Sequence, residues 1–536
     1  MRTFDRHAFQ LRKFSSRCRM VQVRVRQQNL LERELFFVQL REQAIQIATW
    51  IDDRSAAIVF VPNDGAILLE RRDCNDDGAH DRGTDKEAAI IGAIGWHSSL
   101  PCPSSVLRCS RHLIVWTLRV SIVQQLQSGF SRTFWVANVL ELFERFAYYG
   151  SKAVLAVYIA EQVGLGSQTA TFLAGSVFNT LLYFLPPLAG TIVDRFGFRR
   201  SLMACFAIFS LGYFLIGLAG LPIGQPIVEA VGAKTWMLFA LIVTAIGGSL
   251  IKPSIVGTVA RTTNENTKAL GYSVYYTLVN FGGAIGPIIA LAVRESIGIS
   301  FVLVVSSLTT LLLFIATMLF YREPVATEPV QQRTMMQVLA DMMLVFRNGR
   351  FMLFLLIFSG FWVMFWHIFY ALPFYVKDHL DFARFELMET VDAWTIILVT
   401  IPATALARRM KPLGAMVVGF ALATACWFVM SAIPTIPGVI VALMIFAVGE
   451  SLQAPRFYEY VSRLAPPEQL GTYMGFAFLP IAIGTFICGW TSGYLVEHYV
   501  EGGNPNAPQM WLFVGACGVV TTLLLLLYDR FIAPRR

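Results

Sequence analysis

Four ionisable side chains stand inside one apolar stretch, residues 133–160 (TFWVANVLELFERFAYYGSKAVLAVYIA): Glu141, Glu144, Arg145 and Lys152. The stretch is long enough to cross a bilayer, which takes ~20 residues at ~1.5 Å each. A charge at the middle of a membrane helix costs ~2.5–3.5 kcal/mol on insertion scales. Glu141, Glu144 or Arg145, Tyr148 and Lys152 recur every three to four residues, which lines them along one helical face. Leu140, Phe143, Ala147 and Leu155 lie on the other. Two chemistries fit: a structural ion pair between Glu141 and Arg145 at i, i+4, or a water-lined site that handles protons or a charged solute. The number of charges favours the second.

Three further apolar stretches hold costly polar groups. Lys252 stands directly before Pro253, and that proline removes the amide that would bond the Ser249 carbonyl, bending the helix toward a cavity. In the next stretch Tyr276 and Asn280 share a face at i, i+4. Farther on, Glu450 lies near mid-span, five residues before Pro455.

These groups need a membrane scaffold, and composition supplies one. The 536 residues are 56% hydrophobic and 15% charged, with forty-two Phe, and the mean hydropathy is +0.58. A soluble domain carries about a quarter charged residues. From residue 133 onward twelve apolar spans follow, roughly 133–160, 168–193, 201–220, 236–260, 271–293, 299–321, 351–376, 388–407, 413–433, 437–463, 472–496 and 510–529. The expected fold is therefore all-α: twelve transmembrane helices in two six-helix halves, 131–321 and 351–530, as in transporters built from repeated halves. Residues 322–350 link them and include a short interfacial amphipathic helix, QVLADMMLVF. Residues 531–536 form a tail.

The net charge of +8 points to topology rather than nucleic acid, because the Lys and Arg sit in short loops between spans. Even-to-odd loops carry most of them, from Arg195, Arg199 and Arg200 to Arg408, Arg409 and Lys411. Both termini are thus expected in the cytoplasm, and short loops suit a bacterial inner membrane. The eight Cys show no metal-site spacing, and no metal or cofactor is expected. No paired-His motif, nucleophile elbow or phosphate loop marks an enzyme.

Residues 1–130 differ from the rest: Arg-rich, with apolar fragments too short to span and no signal-peptide pattern. They are read either as a poorly structured cytoplasmic extension or as a mis-placed start, with translation beginning near Gln124.

Two resemblances sharpen this reading. The loop from Gly190 to Arg200, with Asp194, Arg195, Gly197, Arg199 and Arg200, resembles the signature loop of the major facilitator superfamily. There such charges form and break pairs as the halves rock, which implies a conformational latch; a static loop anchor is the alternative. The string Glu141-Leu-Phe-Glu144-Arg145-Phe146-Ala-Tyr148-Tyr149-Gly150 is similar to the E-x-x-E-R-F-x-Y-Y-G motif of proton-dependent oligopeptide transporters, complete at each fixed position. Lys252-Pro253, the run from Tyr272 to Gly282, and Glu450 resemble that family's fourth-, fifth- and tenth-helix motifs.

The resemblance covers the chain from about residue 130. It implies proton-coupled symport of di- and tripeptides by alternating access, by a monomer. Arg145 and Lys252 would bind the peptide carboxylate, Glu450 and Asn280 its amino terminus and backbone. Glu141 and Glu144, with Arg145, would move the proton, and Tyr148, Tyr149, Tyr276 and Trp362 would line the pocket.

The chain also departs from the pattern. Trp366 stands where the seventh helix often has an acid, so Lys152 lacks the usual gate partner; His367 beside it reads as a buried, satisfied histidine or a proton relay. Ala477 and Phe478 replace a Trp-Phe, and Arg456, with Glu459 three residues on, is unusual. These departures keep other cargo open: nitrate, an amino-acid conjugate or a drug-like acid. A non-transporting membrane sensor is a third reading.

Overall fold

The first span starts at Ser131, whose hydroxyl accepts the Phe134 amide at 3.2 Å and so satisfies one of the orphan donors of the helix start. In this computed structural model the described residues are 129–264, 267–324, 335–466 and 470–533, together with two strands, Ala57–Phe60 and Ile67–Glu70, paired antiparallel. The strands belong to a unit Met1–Thr117 and everything below to a second, Leu118–Arg536. Apart from that strand pair, the expectations for residues 1–130 lie outside the described residues.

Twelve helical spans follow. The first, Arg132–Val157, ends in a π-helical turn, Tyr158–Gln162. The second is broken: Gly166–Thr171, π-helical Phe172–Asn179 and Thr180–Phe184 lead into Pro186–Phe196 across a 44° bend at the proline pair. The third is Phe198–Leu218, the fifth Lys268–Ile297 and the sixth Ile299–Phe320. Between them the fourth breaks at Leu250, into Ala233–Ser249 and Ile251–Thr262, just where Pro253 withholds its amide.

After the linker helix Met335–Phe346 come Gly349–Tyr370 with its extension to His379, Glu386–Ala407, Pro412–Ala432 and Ile436–Leu464. The eleventh, Leu470–Phe476 with Leu479–Tyr499, and the twelfth, Met510–Phe531, complete the second half. Among the described residues ten helices are long and apolar enough to cross a membrane, and the bent second span makes an eleventh. The first has the length but is interrupted by its charges.

The halves meet along two seams, second span against eleventh and fifth against eighth. Small residues allow close approach: a Cβ on Gly489 would lie 2.3 Å from the Ser176 amide nitrogen, and one on Gly175 2.6 Å from the Gly489 Cα. Ser176 Oγ donates to the Phe486 carbonyl at 2.6 Å, and Thr485 Oγ1 to that of Gly175 at 3.0 Å.

The loop between second and third spans turns at Gly197, φ +83°, a conformation that favours glycine. Glu323, just past the sixth span, accepts the Phe198 and Arg199 amides at 2.7 Å each, and the Arg199 guanidinium donates to the Met318 carbonyl at 2.6 Å. Arg199 is thus anchored within its own half, while the Arg195 guanidinium lies over Phe196. Glu323, which sequence reading passed over, caps the third span. Glu323→Ala should lower stability by ~1 kcal/mol, the usual size of a lost N-cap, and reduce the thermal midpoint in detergent. An unchanged midpoint would mean the cap is not holding the turn.

Candidate functional site

The charges of the first span lie on its buried face, opposite exposed Val139 and Phe143, and so must find each other. Glu141 and Glu144 have no exposed surface and Arg145 is 5% exposed. Arg145 Nε donates to Glu144 Oε2 at 2.5 Å and stands 3.5 Å from Glu141 Oε1. Lys252, carried in by the break in the fourth span, places Nζ 3.8 Å from that same Glu141 oxygen. Tyr275 completes the knot, its hydroxyl accepting from Lys252 Nζ at 3.1 Å and donating to Glu141 Oε1 at 3.4 Å. Gly282 makes the packing possible, since a Cβ there would sit 2.3 Å from the Arg145 Cβ.

Two carboxylates and two cations balance in charge, yet Glu141 Oε2 and Glu144 Oε1 are buried without a donor. Such oxygens are free to take a proton, and each carboxylate that does so releases its claim on Arg145. The fifth-span tyrosine in this knot is Tyr275. Tyr276, singled out from the sequence as a pocket residue rather than a member of this knot, is 47% exposed and turned away from it, and Asn280 Nδ2 donates to its carbonyl at 2.9 Å.

The Arg145 guanidinium lies 4.7 Å from the Tyr148 ring and 5.9 Å from that of Tyr149. Tyr148 turns inward, its hydroxyl 3.4 Å from Asn179 Oδ1. Tyr149 turns to a cavity of ≈ 70 Å³ between the halves, lined by Asn280 on the fifth span, Phe365 on the seventh, Glu389 and Asp392 on the eighth and Glu450 on the tenth. One oxygen of Glu450 is buried without a partner. Seven predicted site residues (Glu141, Glu144, Arg145, Lys252, Tyr149, Asn280 and Glu450) thus lie in or beside one polar track.

Residues 138–488 and 379–534 match the family model described as Major Facilitator Superfamily. The chain belongs to the Major Facilitator Superfamily.

It is similar to the MFS-type transporter YqjV of Bacillus subtilis (strain 168), 24% identical over 377 residues, 69% of this chain and 87% of that one. Dipeptide and tripeptide permease B of Shigella dysenteriae serotype 1 is 28% identical over 173 residues, 32% of this chain. The match spans about a third of the permease, 33%. A solved POT family transporter in complex with 5-aminolevulinic acid shares the fold at TM-score 0.64 and 19% identity, over 76% of this chain and 98% of that one.

Lys152, His367, Trp362 and Arg456, also singled out from the sequence, lie outside that polar track. Lys152 is 4% exposed, and its ammonium sits 3.4 Å from the Trp366 ring centroid and 4.0 Å from that of Phe369, a cation–π arrangement where an acid was the expected partner. His367 is buried, with Nδ1 2.7 Å from the Val363 carbonyl and 3.3 Å from Cys488 Sγ. Trp362 packs edge-on to Phe361 and Phe365 and over Gly484, away from the cavity lining. Arg456 pairs with Glu459 and also donates to the Ala407 and Met410 carbonyls.

Sequence reading missed two groups of acids. Glu389 and Asp392 open the eighth span, and their i, i+3 spacing was the available signal. The other group closes the halves at the odd-to-even-loop end. Lys377 Nζ meets Glu161 at 2.5 Å, Arg384 Nε meets Glu295 at 2.8 Å, and Arg294 pairs with Glu386. Each of these pairs joins one half to the other. A wider cleft of ≈ 320 Å³ lies at this end beside Glu161, Asp378 and Glu501.

Proposed function

We propose that this superfamily member is a proton-coupled symporter of small peptides that works by alternating access. The observation that carries the reading is the buried knot of Glu141, Glu144, Arg145, Lys252 and Tyr275, next to a cavity whose far wall holds Glu450. Two cations on one half and a carboxylate on the other suit a zwitterion with separated charges. The first-span motif and the partial similarity to dipeptide and tripeptide permeases support the same cargo.

In this mechanism a proton on Glu144 or Glu141 loosens Arg145, which then takes the peptide carboxylate together with Lys252. Glu450 takes the amino terminus, and Asn280 and Tyr149 flank the backbone. Proton and peptide binding favour each other because both act through the guanidinium. Both termini face the cytoplasm of a bacterial inner membrane, so the end closed by the three ion pairs faces outward. The monomer contains the whole site, and the proton is the coupling ion.

The test is dialanine uptake into proteoliposomes under an imposed inward proton gradient. Wild type accumulates the peptide, and Glu450→Ala loses both accumulation and exchange. Should wild type ignore di- and tripeptides while moving protons with another solute, the peptide assignment falls.

A further inference from the structure

The cavity between the halves holds more carboxyl groups than one peptide amino terminus can answer. Glu389, Asp392 and Glu450 all line it, and among the described residues its lining includes no cation. Glu389 is 4% exposed with neither carboxylate oxygen partnered, and Asp392 is 9% exposed with Oδ1 unpartnered. Neither carboxylate enters an ion pair within 4 Å among the described residues, and both share the cavity wall with Glu450. Lys152 acts on Glu389 only from a distance, because its ammonium rests on the Trp366 and Phe369 rings.

Glu389 and Asp392, three residues apart, present one face of the eighth span to the cavity. Buried carboxylates without donors are costly, and donors brought by a bound solute would satisfy them. A neutral peptide brings one ammonium, which Glu450 takes. The remaining oxygens call for a second cationic head, an ammonium or guanidinium, within the same molecule.

Resting on the peptide reading above, we infer that the site prefers substrates with two positive groups, namely di- and tripeptides with a Lys or Arg side chain, whose side-chain cation is met by Asp392 and Glu389 while Glu450 holds the amino terminus. Phe365 and Asn280, on the same cavity, leave an apolar and an amide surface for the aliphatic stem.

The experiment is competition in proteoliposomes holding the full chain: labelled Lys-Ala uptake against unlabelled Lys-Ala, Ala-Ala, Asp-Ala and putrescine, in wild type, Asp392→Asn and Glu389→Gln. Lys-Ala should half-inhibit at a concentration at least about tenfold below Ala-Ala, as expected for a close charge pair, with Asp-Ala weaker still. Asp392→Asn should bring the Lys-Ala to Ala-Ala ratio down to about threefold or less, and Glu389→Gln should lower it too. The ratio is internal to each variant, so partial loss of folded protein does not disturb it. Thermal shifts in detergent with the same unlabelled compounds provide a second reading that does not need transport.

Equal potency of Lys-Ala and Ala-Ala in wild type overturns the inference and leaves peptide symport standing; the acids then serve protons rather than substrate. An unchanged ratio in both variants also overturns it. Stabilisation by putrescine with no shift from any peptide sinks peptide symport instead, while keeping a dicationic cavity.

Discussion

Glu144→Gln should abolish concentrative uptake and leave counterflow exchange intact. One pH unit across the membrane corresponds to ~1.4 kcal/mol per proton, so one coupled proton supports up to about tenfold accumulation. Glutamine keeps the volume of glutamate but cannot lose or gain the proton. The substituted transporter should therefore equilibrate dialanine and never exceed the outside concentration. Folding survives because Arg145 keeps Glu141, 3.5 Å from its Nε, and so is not left as an uncompensated buried charge. Exchange survives because Arg145, Lys252 and Glu450 remain to hold the substrate. If Glu144→Gln still concentrates peptide, the proton sits elsewhere, and Glu141, whose Oε2 is also unpartnered, becomes the carrier.

The charged knot was legible in the sequence because a bilayer makes each of its members costly. Glu141, Glu144 and Arg145 on the first span and Lys252 on the fourth stood out against apolar neighbours, and opposite charges inside two apolar spans left few reasons for them except contact. The break before Pro253 was equally legible, since it follows from a missing amide. What the sequence did not reveal was which side of the fifth span faces the first. Tyr275 and Tyr276 differ by one position, about 100° around a helix, and the sequence reading singled out Tyr276 and Asn280 for the pocket while leaving Tyr275 unassigned. Only the close approach of Gly282 to Arg145 makes Tyr275 the partner.

The acids were hidden for a different reason. Glu389 and Asp392 sit near the start of an apolar span, where charges ordinarily reach interfacial water. Their burial comes from the fifth span packing across the eighth, a contact between halves that no local pattern carries. The pairs Glu161–Lys377, Arg294–Glu386 and Glu295–Arg384 likewise join distant loops. They join the halves although Lys152 rests on the Trp366 ring rather than in an ion pair.

Gly489→Val should stop transport by holding that closed end open. The atoms a Cβ on Gly489 would meet include the Ser176 amide nitrogen at 2.3 Å and the Thr171 carbonyl oxygen at 2.8 Å. These are backbone atoms and cannot swing aside, so second and eleventh spans must separate. Separation breaks the Ser176–Phe486 and Thr485–Gly175 hydrogen bonds that bind the seam. The most extensive helix contacts, tenth span on ninth and fifth on first, lie within the halves, so the protein should fold with little change in thermal midpoint, yet dialanine uptake and exchange should both fall by about a hundredfold or more, as when a required conformation is left ~1% populated. A short bis-methanethiosulfonate cross-linker, which loses one sulfinate as each cysteine forms its disulfide, reads the seam directly between cysteines placed at positions 161 and 377. It should join them readily when no other position is altered, since Glu161 and Lys377 reach each other in the native chain, and poorly when Gly489→Val is added. Wild-type uptake by Gly489→Val would show that the tight second-to-eleventh contact is not visited during transport, and the closed end would need another explanation.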